Sequence, residues 1–482
     1  MNIVEMIRRE SAPFADRTAI VEGSRTITYG ELLNRITTFA KVLSSRNIVA
    51  GQRIAFRCAD GIDYVIGALA LLDCGAAVVP IADSLAPGEI LETIERIDVN
   101  GVLTHTKLPP AAGDEAAEKI DELFHWRQRE ADPALDERCR DLGAAFIRFS
   151  SGTTGESKGV VISHRSIEDR TDAANRGLGI SDTDVILWVL GMSHHFVVSI
   201  LLFLRHSATI VVANQRFPFS VLEAAKNVRL TFIYGSPVHF YLLAVSKLVA
   251  PDSLKDVRMA ISTSMKMPPE IFSQFSQKFG FTPSEAYGII EIGLPFINTE
   301  AGTAGKNTVG RALPDYQVQI ENPDHEGVGE VLVKGKGMFD AYFSPWRLRE
   351  EVLRNGWFDT GDLGRVDESG RLSLLGRSKT VIVCAGMKVF PEEVEEIINL
   401  MPGVKESLVS GKEHPQYGQT PVAHVVIAPN IIDPAKIIGE LRAHCFKRLS
   451  SYKVPVEFRE VNSLPKTVSG KLARGATAKA TP

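Results

Sequence analysis

Residues 144–160 read AAFIRFSSGTTGESKGV. An apolar run leads into a loop of glycines, Ser/Thr hydroxyls and one lysine. Glycine permits close backbone approach and positive φ, at an entropic cost when it does nothing. Successive N–H groups in such a loop, with hydroxyls and a lysine, form a concave nest for phosphate oxygens. It is not a Walker motif, which needs glycine directly before the lysine and Ser/Thr after it. Here Ser157 precedes Lys158 and Gly159 follows, which excludes a P-loop kinase. Alone, the loop also reads as a surface turn, so the rest of the chain has to decide.

Outward from it, extended and helical patterns alternate. On the N-terminal side YGELLNRITTFAKVLSS has helical spacing, QRIAFRC reads as a strand and DYVIGALALLDCG as a helix. AAVVPI is a buried strand, PGEILETIERI a helix and GVLTHT a strand. On the C-terminal side VVISH, DVILWVLG, ATIVVA, LTFIYG and VRMAIST are strands with helical segments between them. This alternation predicts parallel sheets flanked by helices, and two such series predict two α/β layers in one large unit. Between 107 and 144 the pattern breaks into a charged stretch that reads as a solvated connector or surface helix. After about 300, YQVQI, GEVLVKG and RLSLLGR predict a small β-rich subdomain. The tail holds the hairpin VIVCAG–MKVF, the helix PEEVEEIINLM, the strand VAHVVIA and a helix near 434–449.

Bulk properties narrow the function classes. A chain of 482 residues is too long for one core. Its 44% hydrophobic and 23% charged content is that of a soluble globular protein. A net charge of −4 gives no reason to expect nucleic acid or an anionic membrane as partner. No apolar run reaches bilayer-spanning length, and the N-terminus lacks the pattern of a signal peptide. Five scattered cysteines without a CxxC pair fit reduced thiols in a cytoplasm.

Four further stretches carry chemistry. EAYGIIE at 285–291 places an aromatic, a glycine and a carboxylate at the end of a predicted strand. An aromatic there can stack on a base, and a carboxylate near phosphates can hold Mg²⁺. GWFDTGDLG at 356–364 sets paired aspartates in a Gly-flanked turn suited to ribose hydroxyls, although a plain Asp turn reads the same. GRSKTVIVCAGMKVFPEEVE at 376–395 marks the change of texture, and LPKTVSGKLAR at 464–474 brings a Gly-Lys near the C-terminus.

These five stretches, in this order, resemble the acyl-adenylate-forming superfamily of acyl- and aryl-CoA ligases, luciferases and peptide-synthetase adenylation domains. The resemblance covers nearly the whole chain. It implies an α/β fold with a large N-terminal unit of two sheet subdomains plus a small β-rich subdomain. A small mobile α+β C-terminal domain follows. Residues 1–377 would form the AMP-binding domain and 378–482 the mobile one, with a hinge at Lys379.

The resemblance assigns Ser150, Ser151, Gly152, Thr153, Thr154, Gly155 and Lys158 to the phosphates of ATP. It gives Tyr287 to adenine, Glu291 to Mg²⁺ and catalysis, Asp362 to the ribose hydroxyls and Arg377 to a second nucleotide contact. Lys471 would reach in from the small domain to the carboxylate and the α-phosphate. Gly386 would border the pantetheine tunnel, and His194, Ser264 and Gly288 would line the substrate pocket.

The implied function is ATP- and Mg²⁺-dependent activation of a carboxylic acid, then transfer to a pantetheine thiol. The acceptor is CoA or a carrier protein. A degenerate binding relative is the rival from another class, and the four charges Lys158, Glu291, Asp362 and Lys471 argue against it. The sequence departs from the family at Ile290, where a threonine hydroxyl usually binds the α-phosphate, and at Ser157, usually proline. Bulky Met265 stands in a segment that is commonly glycine-rich, which predicts a narrowed acyl groove. SHHFVVS at 193–199 lacks the aspartate that pairs with an α-amino group, which points away from α-amino acids.

Overall fold

The computed structural model describes all residues except 84, 110–116, 150–157, 214, 301–307, 385–386, 430, 432, 467–471, 473 and 475–482. By compactness the chain divides into one unit of residues 1–150, 158–317 and 333–358, and a second that includes 318–332 and 359–482. Compactness groups 359–377 with the tail, ahead of the boundary expected at 377–378. A division by compactness and a hinge of motion are different quantities.

The first unit holds the two predicted α/β layers. One is a nine-stranded sheet whose centre is Ala144–Phe149, Ala77–Pro80, Arg53–Arg57 and Gly101–His105. These four run parallel, as βαβ crossovers through the helices Ile62–Asp73 and Pro87–Ile97 require. The other is an eight-stranded sheet with the parallel run Ser284–Ile289, Met259–Ser262, Phe232–Gly235, Val185–Trp188, Thr209–Val212 and Thr18–Glu22. One face of it packs Leu187, Val189, Ile233 and Ala260 against Phe240, Phe275 and Val221. Parallel strands buried on both faces read as continuous apolar runs, and that is why they were legible.

The stretch 107–144, read as a solvated connector or surface helix, holds such a helix at Pro133–Leu142 and also a strand that was not expected. Phe124–Gln128 is a strand that pairs antiparallel with Gly101–His105 and extends the nine-stranded sheet. Phe124 and Trp126 are buried there, in alternation with charged or polar neighbours. Five residues of period two carry too little signal inside a charged stretch. The helix Pro133–Leu142 follows, capped by Asp132.

In the second unit the helix Pro391–Asn399 packs on a sheet built around the long hairpin Val404–His414 and Gly418–Ile427. The first strand of that hairpin had not been read from the sequence. Its outer half is exposed, so it lacks a buried alternating face. The four-stranded sheet, in the order Tyr316–Glu321, Gly329–Gly335, Phe358–Val366 and Leu372–Arg377, is the predicted β-rich element. Residues 358–364 lie in one of its strands, where a turn was expected. The kink that glycine signals is absorbed within the strand at Gly361, φ 69°.

Candidate active site

In open parallel sheets ligands bind beyond the carboxyl ends of the strands. In the eight-stranded sheet those ends are Trp188, Gly235, Ser262 and Ile289. His194, Ser264 and Glu291 follow three of them in the chain, Tyr287 and Gly288 lie in the last residues of the strand Ser284–Ile289, and Lys158 precedes a strand of the nine-stranded sheet.

Glu291 follows the strand Ser284–Ile289 in a tight reversal into Gly293–Ile297. Gly288 makes the reversal possible, since a Cβ there would stand 2.2 Å from the carbonyl oxygen of Gly293. Its role is thus first to bring the two backbones together, and Tyr287 packs on Phe296 at 5.9 Å between ring centroids. Glu291 is held at both ends. Its carbonyl accepts the Phe339 N–H at 2.7 Å, and its Oε1 accepts the Tyr342 hydroxyl at 3.2 Å. Tyr342 lies on a strand paired with Gly159–Ser163, and the Lys158 Nζ sits 4.9 Å from its ring centroid. Tyr342 therefore stands between the loop lysine and the candidate metal carboxylate. Burial raises its phenol's pKa, and the neighbouring Glu291 charge raises it further, so it donates to Glu291 as a neutral hydroxyl.

A buried arginine braces this turn. Arg170, wholly inside the protein, donates to the Gly337 carbonyl from Nε at 2.9 Å and Nη2 at 2.6 Å. Its Nη1 donates to the carbonyl of Ile290 at 3.1 Å. Gly337 is obligatory beside it: φ is 69°, and a Cβ would meet the Arg170 nitrogen at 2.4 Å. Ile290, the residue in place of the usual threonine, is thus fixed through its main chain.

His194 lies in the short helix Met192–His195, followed by a π-helical turn at Phe196–Ile200, a distortion frequent at functional sites. The helix start is pinned by the Met192 N–H on Asp60 Oδ1 at 2.9 Å. His194 Nδ1 is 2.8 Å from the Ser193 hydroxyl, and the His194 carbonyl accepts a hydrogen bond from Arg148. His195 turns the other way, edge-on to Trp188 at 6.2 Å. Ser264 holds φ 77°, a left-handed conformation that is uncommon outside glycine. Met265, expected to narrow the groove, is 56% exposed.

In the second unit Asp362 and Arg377 are register partners on adjacent strands. Their side chains pair at 2.8 Å, Nε to Oδ1. The Asp362 N–H donates to Thr360 Oγ1 at 3.1 Å, and Arg377 Nη1 to the Thr360 carbonyl at 3.1 Å. Lys379 is exposed in the turn that follows, where Thr380 N–H donates to the Arg377 carbonyl. Ser150, Ser151, Gly152, Thr153, Thr154, Gly155, Gly386 and Lys471 lie outside the described residues. Near the last of these in sequence, Arg474 grips the buried Glu395 with two bonds of 2.8 and 2.5 Å.

Sequence reasoning missed Arg148, Arg170 and Tyr342. Two of them had a signal. Arg148 interrupts the apolar strand AAFIRF, and Arg170 falls on the buried stripe Ile167, Thr171, Ala174, Leu178 of its helix.

Comparison with known proteins gives the family. The family model described as AMP-binding enzyme matches residues 7–343, and the model of the AMP-binding enzyme C-terminal domain matches 393–471. The chain belongs to the AMP-binding enzymes. A CoA ligase of Rhodococcus jostii, named for a methyl-dioxo-octahydroindenyl propanoyl group, is 26% identical over 97% of this chain and 96% of its own. Feruloyl-CoA synthase of an Amycolatopsis species is 27% identical, with 97% of this chain and 96% of that protein covered. The ATP-bound crystal structure of MatB from Rhodopseudomonas palustris superposes with a TM-score of 0.82 at 26% identity, over 98% of this chain and 97% of that one.

Proposed function

We propose that the chain is an AMP-forming acid–thiol ligase that converts a carboxylic acid other than an α-amino acid into its CoA thioester. The observation that carries the reading is Glu291 fixed at the carboxyl edge of a parallel sheet, with Lys158 across the Tyr342 ring from it. CoA as acceptor rests on relatives that are CoA ligases along nearly their whole length.

In the first half-reaction a carboxylate oxygen attacks the α-phosphorus of ATP and pyrophosphate leaves. The nucleophile is already ionised, so the enzyme's task is to bring anions together and stabilise developing charge. The Ser150–Gly155 hydroxyls and amides with Lys158 hold the phosphates, Tyr287 stacks on adenine, and Asp362 accepts from the ribose with Arg377 beside it. Lys471 supplies a cation at the carboxylate and α-phosphate. Mg²⁺ would be held by Glu291, a single carboxylate that suits an ion whose other ligands are phosphates and water, and would neutralise phosphate charge. In the second half-reaction a pantetheine thiol, its proton lost, attacks the acyl carbonyl and AMP leaves. The domain 378–482 turns about Lys379 between the two steps, withdrawing Lys471 and bringing Gly386 to the thiol's path. His194, Ser264 and Gly288 border the acid.

The test is incubation with ATP, Mg²⁺, CoA and a pool of fatty, aryl and short acids, read by mass spectrometry. Acyl-CoA and AMP are the expected products. Acyl-AMP without thioester would move the acceptor to a carrier protein, and neither product from any acid would overturn the reading. Lys471→Ala is expected to lose adenylate formation by about 100-fold or more, as loss of a group aimed at transition-state charge does. It should spare thioester formation from supplied acyl-adenylate; equal loss in both would refute its role.

A further inference from the structure

Arg148 is the penultimate residue of the strand Ala144–Phe149. Strand alternation puts it on the face of Phe146, which packs on Phe196 at 5.6 Å, while Ile147 faces the opposite core. Phe196 in turn packs on Tyr64 at 5.4 Å. Arg148 thus projects between the helix Ile62–Asp73, which carries Tyr64, and the helix of His194. A guanidinium has five N–H donors. Among the described residues Arg148 makes one hydrogen bond, to the His194 carbonyl, and no carboxylate ion-pairs with it. Tyr64 beside it is 0% exposed, and its hydroxyl has no partner among the described residues. Arg148 is half-buried and the Tyr64 hydroxyl fully buried; a buried polar group is ordinarily satisfied, and here both have donors left for a ligand.

We propose that Arg148 and the Tyr64 hydroxyl form a carboxylate-recognising subsite in the acid pocket, and that the enzyme's substrate is a dicarboxylic acid activated at one end. The proposal rests on the adenylation reading above for the pocket's place beside His194. A carboxylate matches the planar fork of a guanidinium and takes the phenol as a further donor. The group held here is the unreacted carboxylate. The reacting one loses its charge on becoming an acyl phosphate, which would leave Arg148 uncompensated through the adenylate and thioester stages. The distal one keeps its charge throughout. Arg148 feels the charge of Glu291, and Tyr64 those of Asp60, Asp83 and Arg148. Asp60 lies on the Tyr64 side, with its Oδ1 already accepting the Met192 N–H.

The experiment compares α,ω-dicarboxylates from malonate to suberate, and phthalate isomers, each with its monomethyl ester. Acid-dependent ATP–pyrophosphate exchange and calorimetric binding without ATP are measured for wild type, Arg148→Met, Arg148→Lys and Tyr64→Phe. Wild type is expected to favour one diacid over its ester by about 100-fold in kcat/KM, as a site built around a polar group does. Arg148→Met should erase that ratio, Arg148→Lys should retain part of it, and Tyr64→Phe should raise KM for the diacid alone. Arg148→Met should also unfold close to the wild-type temperature, since the side chain it shortens is half-buried and its described tie is a single main-chain carbonyl. Equal loss on diacid and ester, or a wild-type preference for esters, would overturn the subsite while leaving the adenylation reading in place. Arg148-dependent diacid binding with no exchange from any acid would do the reverse.

Discussion

Two arginines, the fully buried Arg170 and the half-buried Arg148, approach the same carboxylate and differ in what else they touch. Burial lowers the pKa of both, Arg148 to about 10, and the charge of Glu291 partly offsets this in each. Arg170 gives three hydrogen bonds to the carbonyls of Gly337 and Ile290. Among the described residues Arg148 gives one, to the carbonyl of His194. A buried cation whose donors are used by main chain is a brace. One whose donors are left over is a binding group waiting for an anion. Burial and charge alone do not separate the two; the count of satisfied donors does.

Arg170→Met is the sharpest way to break this contrast. It takes the donors from two carbonyls at once, and each buried acceptor left without a partner costs about 1–3 kcal/mol. A loss of about 3 kcal/mol in stability is expected, with adenylation reduced because the Ile290–Glu291 turn is no longer pinned. Thermal unfolding beside Arg148→Met checks it. Similar destabilisation by both substitutions would show that Arg148 is a brace too.

The helix that carries Arg170 begins at His164, a buried base kept neutral rather than charged. Burial pushes its pKa down from 6.5 to about 4, and its Nδ1 accepts the Ile3 N–H at 3.3 Å. A base with a depressed folded pKa costs stability as pH falls. The unfolded chain takes up the proton from about 6.5 downward, while the folded chain waits until about 4. Between pH 7 and 5 this amounts to about 2 kcal/mol. His164→Asn keeps an acceptor for Ile3 and cannot titrate, so it should lose about 2 kcal/mol less than wild type over that interval. Denaturant unfolding at the two pH values measures it, and parallel losses would place the acid sensitivity elsewhere.

The same contrast explains what the sequence could show. Strands such as Val185–Trp188 and Phe232–Gly235 were legible because burial on both faces forces apolar runs. The outward half of Val404–His414 and the short strand Phe124–Gln128 were not, since they keep polar residues on one side. In the site, groups proposed to meet a ligand through their own side chains come in motifs, as Tyr287 and Glu291 do. Groups that act on main chain show their burial but not their partners: Arg170 falls on the buried stripe of its helix, yet nothing local announces the two carbonyls it serves, 47 residues apart at Ile290 and Gly337. Tyr342 has its meaning only from a strand pairing with Gly159–Ser163. Arg148 was visible as a charge inside AAFIRF, but its significance depends on which partners it lacks.

Ile290 offers the smallest and cleanest test of the brace. Its tie to Arg170 runs through the main-chain carbonyl, so a change of side chain leaves the tie intact. Thr at this position would add the hydroxyl that the family usually sets on the α-phosphate, a hydrogen bond of about 0.5–1.5 kcal/mol. Ile290→Thr should therefore leave the unfolding temperature unchanged and leave adenylation unchanged or raise it by up to about tenfold. Pyrophosphate exchange at saturating acid reads the effect. A fall of more than tenfold would mean that the isoleucine side chain, and not only its carbonyl, shapes the turn that presents Glu291, and the brace would then extend beyond Arg170.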